Sequence, residues 1–469
     1  MPAFRQNSTV RAMRDRALYV LRGRTMGARL MRGTGGTFAL RVLNMALKFA
    51  ASLVLARLLT PEEYGVFNFA QAWLLLLIVP ATAGFDRLLV RDLSIYLRQQ
   101  GWATMRGAVR FATRGALALS CMVALLALAG AWLTYHLTGR PALLNAEQGD
   151  VARGALITLA IALLILPVRA LLLVQQGAMR GLRHVVFSQV PDLALQPALF
   201  LLALIVVYFG GRALGTANGA TLLFGGTMLA ALGVSTWGMR RVVPPPMRAA
   251  KPVTLRRAWL IGAAPFALSQ VLMTLNTQAD ALMLGALDSP TAVAYYTVTQ
   301  RLTMLITLPL ISVTVALAPH VASLYAAGHL RELQRAVTTS TRLVLVLSLP
   351  FTLLYVVAGT LFLGLFGAEY RVAQTALTIF SLGQLVNAAT GPVSTLLMMT
   401  GRERAATLST GAGVALHVLL NLLLIPAWSI EGAAIAGGIS VAALNLAQAW
   451  LAWRWLRINT LAAGPTVYR

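Results

Sequence analysis

Six basic side chains lie inside stretches that are otherwise apolar enough to cross a membrane: Arg41, Lys48, Arg57, Arg114, Arg169 and Arg301. A charge at the centre of a membrane helix costs roughly 2.5–3.5 kcal/mol, so such a residue is kept where it faces water, a carboxylate or an anionic ligand. The same stretches hold only two acidic residues well away from their ends, Asp192 and Asp280. Positive charge therefore exceeds its possible internal partners. This excess predicts a membrane protein that handles something anionic.

Three polar residues of the first apolar stretch fall on one helical face. Arg41, Asn44 and Lys48 stand at positions i, i+3 and i+7, which a helix places on one side. We predict that this face lines a hydrated cavity where Arg41 and Lys48 bind phosphate or pyrophosphate oxygens, Arg41 in bidentate fashion. The alternative for Arg41 is that it reaches the lipid headgroups. Arg57 points almost the opposite way and is interpreted as structural.

The two deep carboxylates are candidates for ion coupling. Asp280 could form an ion pair with Arg301; if it is unpaired, it could carry a proton or help to bind Na⁺. Gln300 precedes Arg301 and is assigned with it to the substrate-binding site. Asp192 lies in a proline-flanked part of its helix, where a bend is expected, and the alternative for it is an interfacial position.

Composition decides the fold class. Of the 469 residues, 58% are hydrophobic and only 11% are charged, whereas a soluble protein carries about 25% charged residues. Apolar stretches of bilayer-spanning length recur along the chain, and they lack the strict alternation of barrel strands. We predict an all-α polytopic membrane protein with about twelve transmembrane helices, at approximately 35–58, 64–85, 108–134, 152–175, 187–209, 217–238, 258–286, 291–317, 343–367, 372–399, 405–427 and 432–455.

The distribution of the 39 lysines and arginines predicts the topology. If the loops alternate from an internal N-terminus, 29 of them lie in internal segments, 4 in external loops and 6 in the spans. This is the positive-inside bias, and it predicts that both termini are cytoplasmic. The net charge of +25 is thereby attributed to topology and to anionic membrane lipids. Because the apolar spans interrupt any basic face, we expect no nucleic-acid partner.

A proline-rich linker at 239–257 divides the spans into six and six, and a sequence repeat supports the division. A shift of 229 residues places Pro61 on Pro290, Gln71 on Gln300 and Pro80 on Pro309. An even number of spans per half gives both halves one orientation, so we predict two six-helix parallel-repeat lobes around a central cavity. The predicted organisation is a basic N-terminal segment 1–34, lobes 35–238 and 258–455 joined by the linker, and a tail 456–469.

Signatures of catalysis are absent from the sequence. It has no metal-ligand spacing, no phosphate-binding Gly-Lys-Ser/Thr loop and no nucleophile elbow. We therefore expect that the protein is not an enzyme, holds no metal or cofactor, and draws energy from H⁺, Na⁺, the membrane potential or substrate flux.

Several segments resemble the polysaccharide flippases of the multidrug/oligosaccharidyl-lipid/polysaccharide exporter superfamily. The first is Leu-Ala-Arg-Leu-Leu-Thr-Pro-Glu-Glu-Tyr-Gly-Val-Phe at 55–67, which is similar to the first turn between spans in that family. The segment from Asp280 to Arg301 is similar to its spans 7 and 8. Further segments at 383–392, 398–401 and 425–436 are similar to its C-terminal spans.

The resemblance implies a bacterial inner-membrane flippase that moves polyprenyl-diphosphate-linked oligosaccharide to the periplasmic leaflet for surface polysaccharide biosynthesis. It implies two lobes that rock around a cationic cavity, with membrane lipids, a polysaccharide polymerase and chain-length machinery as partners. One alternative is an ion-coupled drug/cation antiporter of the same superfamily, which would favour acidic intramembrane residues. Another is a membrane glycosyltransferase or O-antigen ligase, which would need catalytic carboxylates in its external loops.

Thiol labelling tests the predicted topology. In a Cys121→Ala background, a cysteine replacing Ala250 is expected to resist a membrane-impermeant reagent in intact cells, because the linker is cytoplasmic, and to react once the membrane is opened. A cysteine replacing Arg140, in an external loop, is expected to react in both conditions. Labelling of residue 250 in intact cells would rule out the twelve-span arrangement.

Overall fold

The computed structural model describes residues 26–138, 150–210 and 215–464, and within these ranges the chain is helical without strands. Ten helical segments of the described residues are long and apolar enough to cross a membrane, with Val185–Phe209 counted as one segment. One of them, Glu403–Leu456, is interrupted by non-helical backbone at Trp428 and Ser429, so it provides two spans. A further span consists of two shorter helices separated by Gly391 and Pro392. The predicted all-α polytopic fold with about twelve spans is confirmed. The predicted basic segment 1–34 lies largely outside the described residues.

The N-terminal lobe is built from α1 to α8. Their bounds are α1 Met26–Leu58, α2 Pro61–Thr82, α3 Phe85–Arg98, α4 Trp102–Thr138, α5 Asp150–Gly181, α6 Val185–Val190, α7 Gln196–Phe209 and α8 Ala217–Val242. A π-helical turn, Pro191–Leu195, joins α6 to α7 and contains Asp192, the position where the sequence predicts a bend. The short α3 is amphipathic and packs against α5. There Gly177 permits close approach, because an added Cβ would lie 2.2 Å from the carbonyl oxygen of Asp86.

The linker and the C-terminal lobe contain α9 to α15. Their bounds are α9 Pro245–Ala249, α10 Arg256–Leu287, α11 Pro290–Ala326, α12 Leu330–Gly364, α13 Gln374–Thr390, α14 Val393–Met399 and α15 Glu403–Leu456. A 3₁₀ turn, Ala368–Ala373, joins α12 to α13. The tail that follows α15 is packed against the lobe as far as Gly464, because the guanidinium group of Arg342 donates to the carbonyl oxygens of Ala462 and Gly464.

The helices α2 and α11, which hold the prolines that the sequence repeat aligns, begin in the same way. Each starts with a proline in the first turn, where the missing N–H costs nothing. Each is capped by a hydroxyl: Thr60 accepts from the backbone N–H of Glu63 at 3.3 Å, and Ser289 accepts from that of Ala292 at 3.2 Å. The two helices pack against each other across the interface between the lobes.

The lobes meet at the end of the bundle where α1 ends, which we call the closed end. Two aromatic contacts cross the interface there, Phe49 with Phe366 at 5.7 Å between ring centroids and Tyr64 with Tyr370 at 6.4 Å. Arg57 Nε also donates to the carbonyl oxygen of Leu365 at 2.7 Å. The interpretation of Arg57 as a structural residue therefore agrees with its contact.

The other end, which holds the linker 239–257 and the start of α1, is called the basic end. Here the linker and the first half of α10 pack on the N-terminal lobe. Met247, Trp259 and Ala263 are buried in the same apolar core as α3, α4 and α5. The second half of α10 packs in the C-terminal lobe, where Asp280 contacts α11 and α15. The expected boundary between linker and lobe at 257–258 thus lies within a packed segment, and α10 bridges the two lobes.

A single methyl group at the closed end is expected to prevent closure. In Gly65→Ala, the added Cβ would lie 1.7 Å from the carbonyl oxygen of Pro290, far inside the ~3.5 Å contact distance of two such atoms. The lobes must separate here to relieve the overlap. Cross-linking between cysteines that replace Arg57 and Leu365, in the Cys121→Ala background, is expected to fall strongly.

Gly226→Ala is the matched control, because a Cβ at this α8 position meets no atom within 4 Å. Undiminished cross-linking in Gly65→Ala would mean that the backbone contact between α2 and α11 does not limit closure.

Candidate functional site

A cavity of about 480 Å³ lies between the two lobes, on the basic side of Lys48. Its walls come from α1, α2, α3, α5, α6 and the π-helical turn of the N-terminal lobe, together with α10 and α11. The polar residues that line it are Arg41, Asn44, Thr82, Asp86, Arg87, Gln176, Arg180, Gln189, Asp192, Gln270 and Ser312. Arg41, Asn44 and Asp192 were selected from the sequence, and all three line this space.

Three arginines surround this cavity, and we call them the mouth cations: Arg41, Arg87 and Arg180. Arg180 Nη2 lies 4.0 Å from Asp86 Oδ2, and the guanidinium group of Arg87 donates to the side-chain oxygen of Gln270. Burial raises the pKa of Asp86, while the neighbouring Arg180 and Arg87 act against that shift. The mouth therefore stays cationic even with two carboxylates in its lining.

A second group of cations lies deeper in the bundle, and we call them the deep cations: Lys48, Arg169 and Arg301. Lys48 has an exposed side chain and lies on the same face of α1 as Arg41 and Asn44. The charged groups that act on it are Asp192, Arg169 and Arg301, so α1, α5, the π-helical turn and α11 all contribute to one site. Phe49, the next residue, contacts Phe366 and ends this space towards the closed end.

Two of the deep cations carry unpaired nitrogen atoms. The Nε atoms of Arg169 and Arg301 are buried and have no hydrogen-bond acceptor among the described residues. A buried donor without a partner costs about 1–3 kcal/mol, and more when the group is charged. Such a cost is offset when an anion or ordered water reaches the group. In this conformation both Nε atoms are buried, and none of the three deep cations belongs to the lining of the 480 Å³ cavity. The two arginines therefore keep an unused donor beside the cavity.

Asn44 has a structural partner as well as a place in the cavity wall. Its side-chain nitrogen donates to the carbonyl oxygen of Leu193 at 2.9 Å. Leu193 lies in the π-helical turn, whose altered register disturbs the usual helical hydrogen bonds. Asn44 therefore fixes α1 against this turn and holds the face that carries Arg41 and Lys48 towards the cavity.

Asp280 is the centre of a separate buried polar cluster in the C-terminal lobe. It accepts from Tyr296 Oη at 2.9 Å, from Gln300 Nε2 at 3.4 Å and from Asn421 Nδ2 at 2.7 Å. His417 Nε2 lies 2.7 Å from Asp280 Oδ1, an ion-pair distance, although no well-aligned hydrogen bond joins the two. The side chain of Asp280 is only 5% exposed and that of His417 7%.

The cluster corrects two expectations. No ion pair joins Asp280 to Arg301; the carboxylate is paired with His417 instead, because α15 brings this imidazole against α10. Gln300 hydrogen-bonds Asp280 and so faces the cluster, whereas its neighbour Arg301 is directed elsewhere. Successive residues of a helix point about 100° apart, which separates the two side chains.

The cluster can hold a proton or a small cation, because it combines a carboxylate, an imidazole, a phenol and amide oxygens. Asn421 Oδ1 is buried without a hydrogen-bond partner among the described residues. No group of three or more histidine, cysteine or acidic residues that could bind a metal is found in the described part of the chain.

Sequence reasoning missed Arg87 and Arg180 as cavity residues because both were counted with the basic loops. The strong amphipathic pattern of 85–98 could have located Arg87. Such a helix packs its apolar face on the bundle and so holds its charged face beside the bundle. Arg169 was recognised as an intramembrane charge but was not assigned to the binding site. Arg169 lies near enough to Lys48 to act on its charge, so we place both residues among the deep cations.

Two family models match the sequence. The model described as Polysaccharide biosynthesis protein matches residues 30–325, which is more than half of the chain. The chain belongs to the polysaccharide biosynthesis protein family. A second model, MatE, matches residues 265–423. A comparison with curated proteins finds no match.

Solved structures of the MOP superfamily share the fold of this family member. An inward-facing multidrug resistance MATE family transporter is 14% identical and has a TM-score of 0.69; the match covers 88% of this chain and 94% of the transporter. Lipid II flippase MurJ, in an inward closed conformation, is 13% identical and has a TM-score of 0.63; the match covers 90% of this chain and 87% of MurJ. A MOP superfamily transporter from Pyrococcus furiosus is 15% identical, with 94% and 96% covered and a TM-score of 0.61.

The family model thus agrees with the recognised polysaccharide family, and the fold is that of solved MOP superfamily structures. The chain is a multi-pass membrane protein. The solved structures that share its fold are described as transporters and a flippase. At these identities the likeness shows the fold. The substrate must be argued from the side chains.

Loss of the central carboxylate is expected to destabilise the C-terminal lobe. In Asp280→Ala, a buried imidazole and the donors of Tyr296 and Asn421 lose their acceptor, at a cost of about 3–5 kcal/mol. The melting temperature of the purified protein is expected to fall. Asp280→Asn keeps the shape of the side chain and one acceptor oxygen, so its melting temperature should fall less. If Asp280→Ala melts like the unmodified protein, the cluster does not stabilise the lobe.

Proposed function

We propose that this protein is a flippase that moves a polyprenyl-diphosphate-linked oligosaccharide across the bacterial inner membrane by alternating access. The observation that carries the proposal is the sign of the charge between the lobes. The mouth cations and the deep cations together face only two nearby carboxylates, Asp86 and Asp192. A diphosphate carries the complementary charge and has the oxygen geometry that guanidinium groups bind in bidentate fashion.

The two groups of cations lie at successive depths. Arg41 and Lys48 are seven residues apart on α1, which at 1.5 Å per residue is about 10 Å along the helix. A diphosphate could therefore be passed from the mouth cations to the deep cations without losing contact with positive charge. The unpaired Nε atoms of Arg169 and Arg301 make the deep group the site where an anion gains most.

The conformation is consistent with loading from the basic end. The cavity lies on that side of Lys48, and the contacts Phe49–Phe366 and Arg57–Leu365 close the other side. Transport then requires these contacts to break while the lobes close around the basic end. If the positive-inside bias sets the topology, the basic end is cytoplasmic, together with both termini, and the substrate is taken from the cytoplasmic leaflet.

Ion coupling is assigned to Asp280 and not to the cationic site. The carboxylate–imidazole pair with His417 is nearly closed to solvent and lies where α10 meets α11 and α15. Protonation of this pair, or a Na⁺ ion bound to its oxygens, would change the packing of α10, which bridges the lobes. Asp192 has a different role in this proposal: it lies among the cations and moderates their repulsion. Apart from the coupling ion, no cofactor is proposed.

A drug/cation antiporter is the second candidate, because the MatE model matches residues 265–423 and those residues contain Asp280. A cationic drug would gain nothing from a lumen with excess positive charge. In the Pyrococcus furiosus transporter, reverse polarity of the binding pocket suggests a different function. Polarity of the pocket is therefore the property that separates the candidates, and here it favours an anionic substrate. A glycan polymerase and chain-length machinery are proposed as partners downstream of the flippase.

Removal of a deep cation is expected to stop export. Lys48→Ala and Arg301→Ala each remove a charge that would bind the diphosphate, and one charge-assisted hydrogen bond of about 1.5–3 kcal/mol corresponds to a tenfold to hundredfold loss. Lys48→Arg should retain part of the activity and Lys48→Glu should be worse than Lys48→Ala. The measurement is surface polysaccharide in cells, with the amount of inserted protein determined in parallel.

Arg114→Ala is the matched control, because Arg114 is an exposed arginine within the span α4 and is not among the charged groups that act on Lys48. It should export normally. Normal export by Lys48→Ala and Arg301→Ala would contradict the proposal, as would drug resistance in cells that depends on this chain while polysaccharide is unchanged.

A further inference from the structure

A second cavity, of about 450 Å³, lies at the basic end on the N-terminal lobe and shares no lining residue with the cavity between the lobes. It is formed by the start of α4, the end of α8 and the linker with α9. Half of its lining is arginine and half is apolar: Arg106, Arg110, Arg240 and Arg248, with Val109, Met239, Val243 and Met247. Within the described residues, the lining contains no carboxylate.

The structure holds this cavity open in a fixed shape. Arg106 Nη1 donates to the carbonyl oxygen of Ala250 at 2.6 Å. The backbone N–H of Val253 donates to the carbonyl oxygen of Ala103 at 3.1 Å. Gly107 allows the linker to lie directly on α4, because an added Cβ would be 1.7 Å from the carbonyl oxygen of Val253. Met247 is 3% exposed and anchors α9 in the core of the lobe.

Four guanidinium groups around one cavity repel each other, and their partners here are neutral. Arg248 Nε donates to the carbonyl oxygen of Val243 at 3.1 Å and another of its nitrogens donates to that of Arg240. Each guanidinium group has five N–H donors, so most of them remain available. A bound phosphate would accept several and relieve the repulsion.

The position and the apolar half of the lining favour a lipid as the source of that phosphate. At the same end of α8, next to the lining residue Arg240, Arg241 lies over the ring of Trp237 with 4.5 Å between its Cζ and the ring centroid, and Trp237 is 52% exposed. Exposed tryptophan beside arginine is typical of the headgroup level of a membrane. The apolar side chains of the lining suit the glycerol and upper acyl region of a phospholipid.

We propose that this cavity, the α4–α8–linker pocket, binds the headgroup of an anionic phospholipid. The bound lipid would join α4, α8 and the linker that leads to α10, the helix that bridges the lobes. This site is independent of the proposed flippase substrate, since none of the mouth or deep cations belongs to it. Basic pockets between transmembrane helices at the cytoplasmic side are suited to such headgroups.

Titration of the purified full chain in neutral detergent tests the proposal. The probes are phosphatidylglycerol, phosphatidylcholine, inorganic phosphate and pyrophosphate, and the readouts are lipid retained in native mass spectrometry and the shift in melting temperature. The double variant Arg110→Gln/Arg240→Gln leaves the linker contacts of Arg106 and Arg248 intact. Its affinity for phosphatidylglycerol is expected to fall by on the order of tenfold to a hundredfold.

The double variant Arg256→Gln/Arg257→Gln is the control, because it removes the same charge from exposed positions at the same end and should change affinity less than about twofold. Val109→Trp fills the pocket without changing its charge and should also abolish retention. The proposal would be overturned if both double variants lost affinity for phosphatidylglycerol equally. It would also be overturned if phosphatidylcholine were retained as well as phosphatidylglycerol, or if inorganic phosphate or pyrophosphate raised the melting temperature as much as phosphatidylglycerol does. Retention by Val109→Trp at the level of the unmodified protein would overturn it too.

Discussion

The cost of placing charge in hydrocarbon constrains this molecule more than any other interaction. Lys48, Arg169 and Arg301 lie in the middle of apolar helices, and their side chains cannot face lipid at a tolerable cost. The helices that carry them are therefore arranged around a shared space, with α1 held against the π-helical turn by Asn44. The same constraint explains why Asp280 is surrounded by donors, since a buried carboxylate is stable only when its oxygens are satisfied.

The two kinds of buried charge are kept apart. The mouth cations line the cavity between the lobes, and two of the deep cations keep an unpaired Nε atom. Asp280, in contrast, is enclosed inside the C-terminal lobe with His417, Tyr296 and Asn421. Such a separation lets a ligand meet the cations without competing for the carboxylate. It also assigns different physical tasks to the two sets: the cations are suited to bind an anion, and the enclosed cluster is suited to respond to a proton or a small cation.

Close backbone contacts give the two lobes a defined closed end. Gly65 meets Pro290 where the repeated helices α2 and α11 begin, and the aromatic contacts of Phe49 and Tyr64 lie beside this point. Packed aromatic rings and backbone contacts of this kind have few intermediate arrangements, because interiors are close-packed. The bridge formed by α10 connects this end to the linker, so a change at the Asp280 cluster has a direct structural route to the basic end.

Local properties of the sequence determined much of this fold. Hydropathy and length predicted the number of spans, because a bilayer requires about 20 apolar residues of helix wherever they occur. A shift of 229 residues, which aligns Pro61 with Pro290, predicted the repeat. Helical periodicity placed Arg41, Asn44 and Lys48 on one face. The excess of positive over negative charge in the spans could likewise be counted without a structure.

Only the tertiary structure decided which polar faces meet. Periodicity tells which residues of one helix share a side, but not which helix that side faces. For this reason Gln300 was assigned to the substrate, although it bonds to Asp280, and His417 was not connected to Asp280, although α15 brings them to 2.7 Å. Arg87 and Arg180 were counted with the basic loops until the packing of α3 on α5 placed them at the cavity. Contacts between helices far apart in the chain depend on packing and glycine clearances, which no single segment encodes.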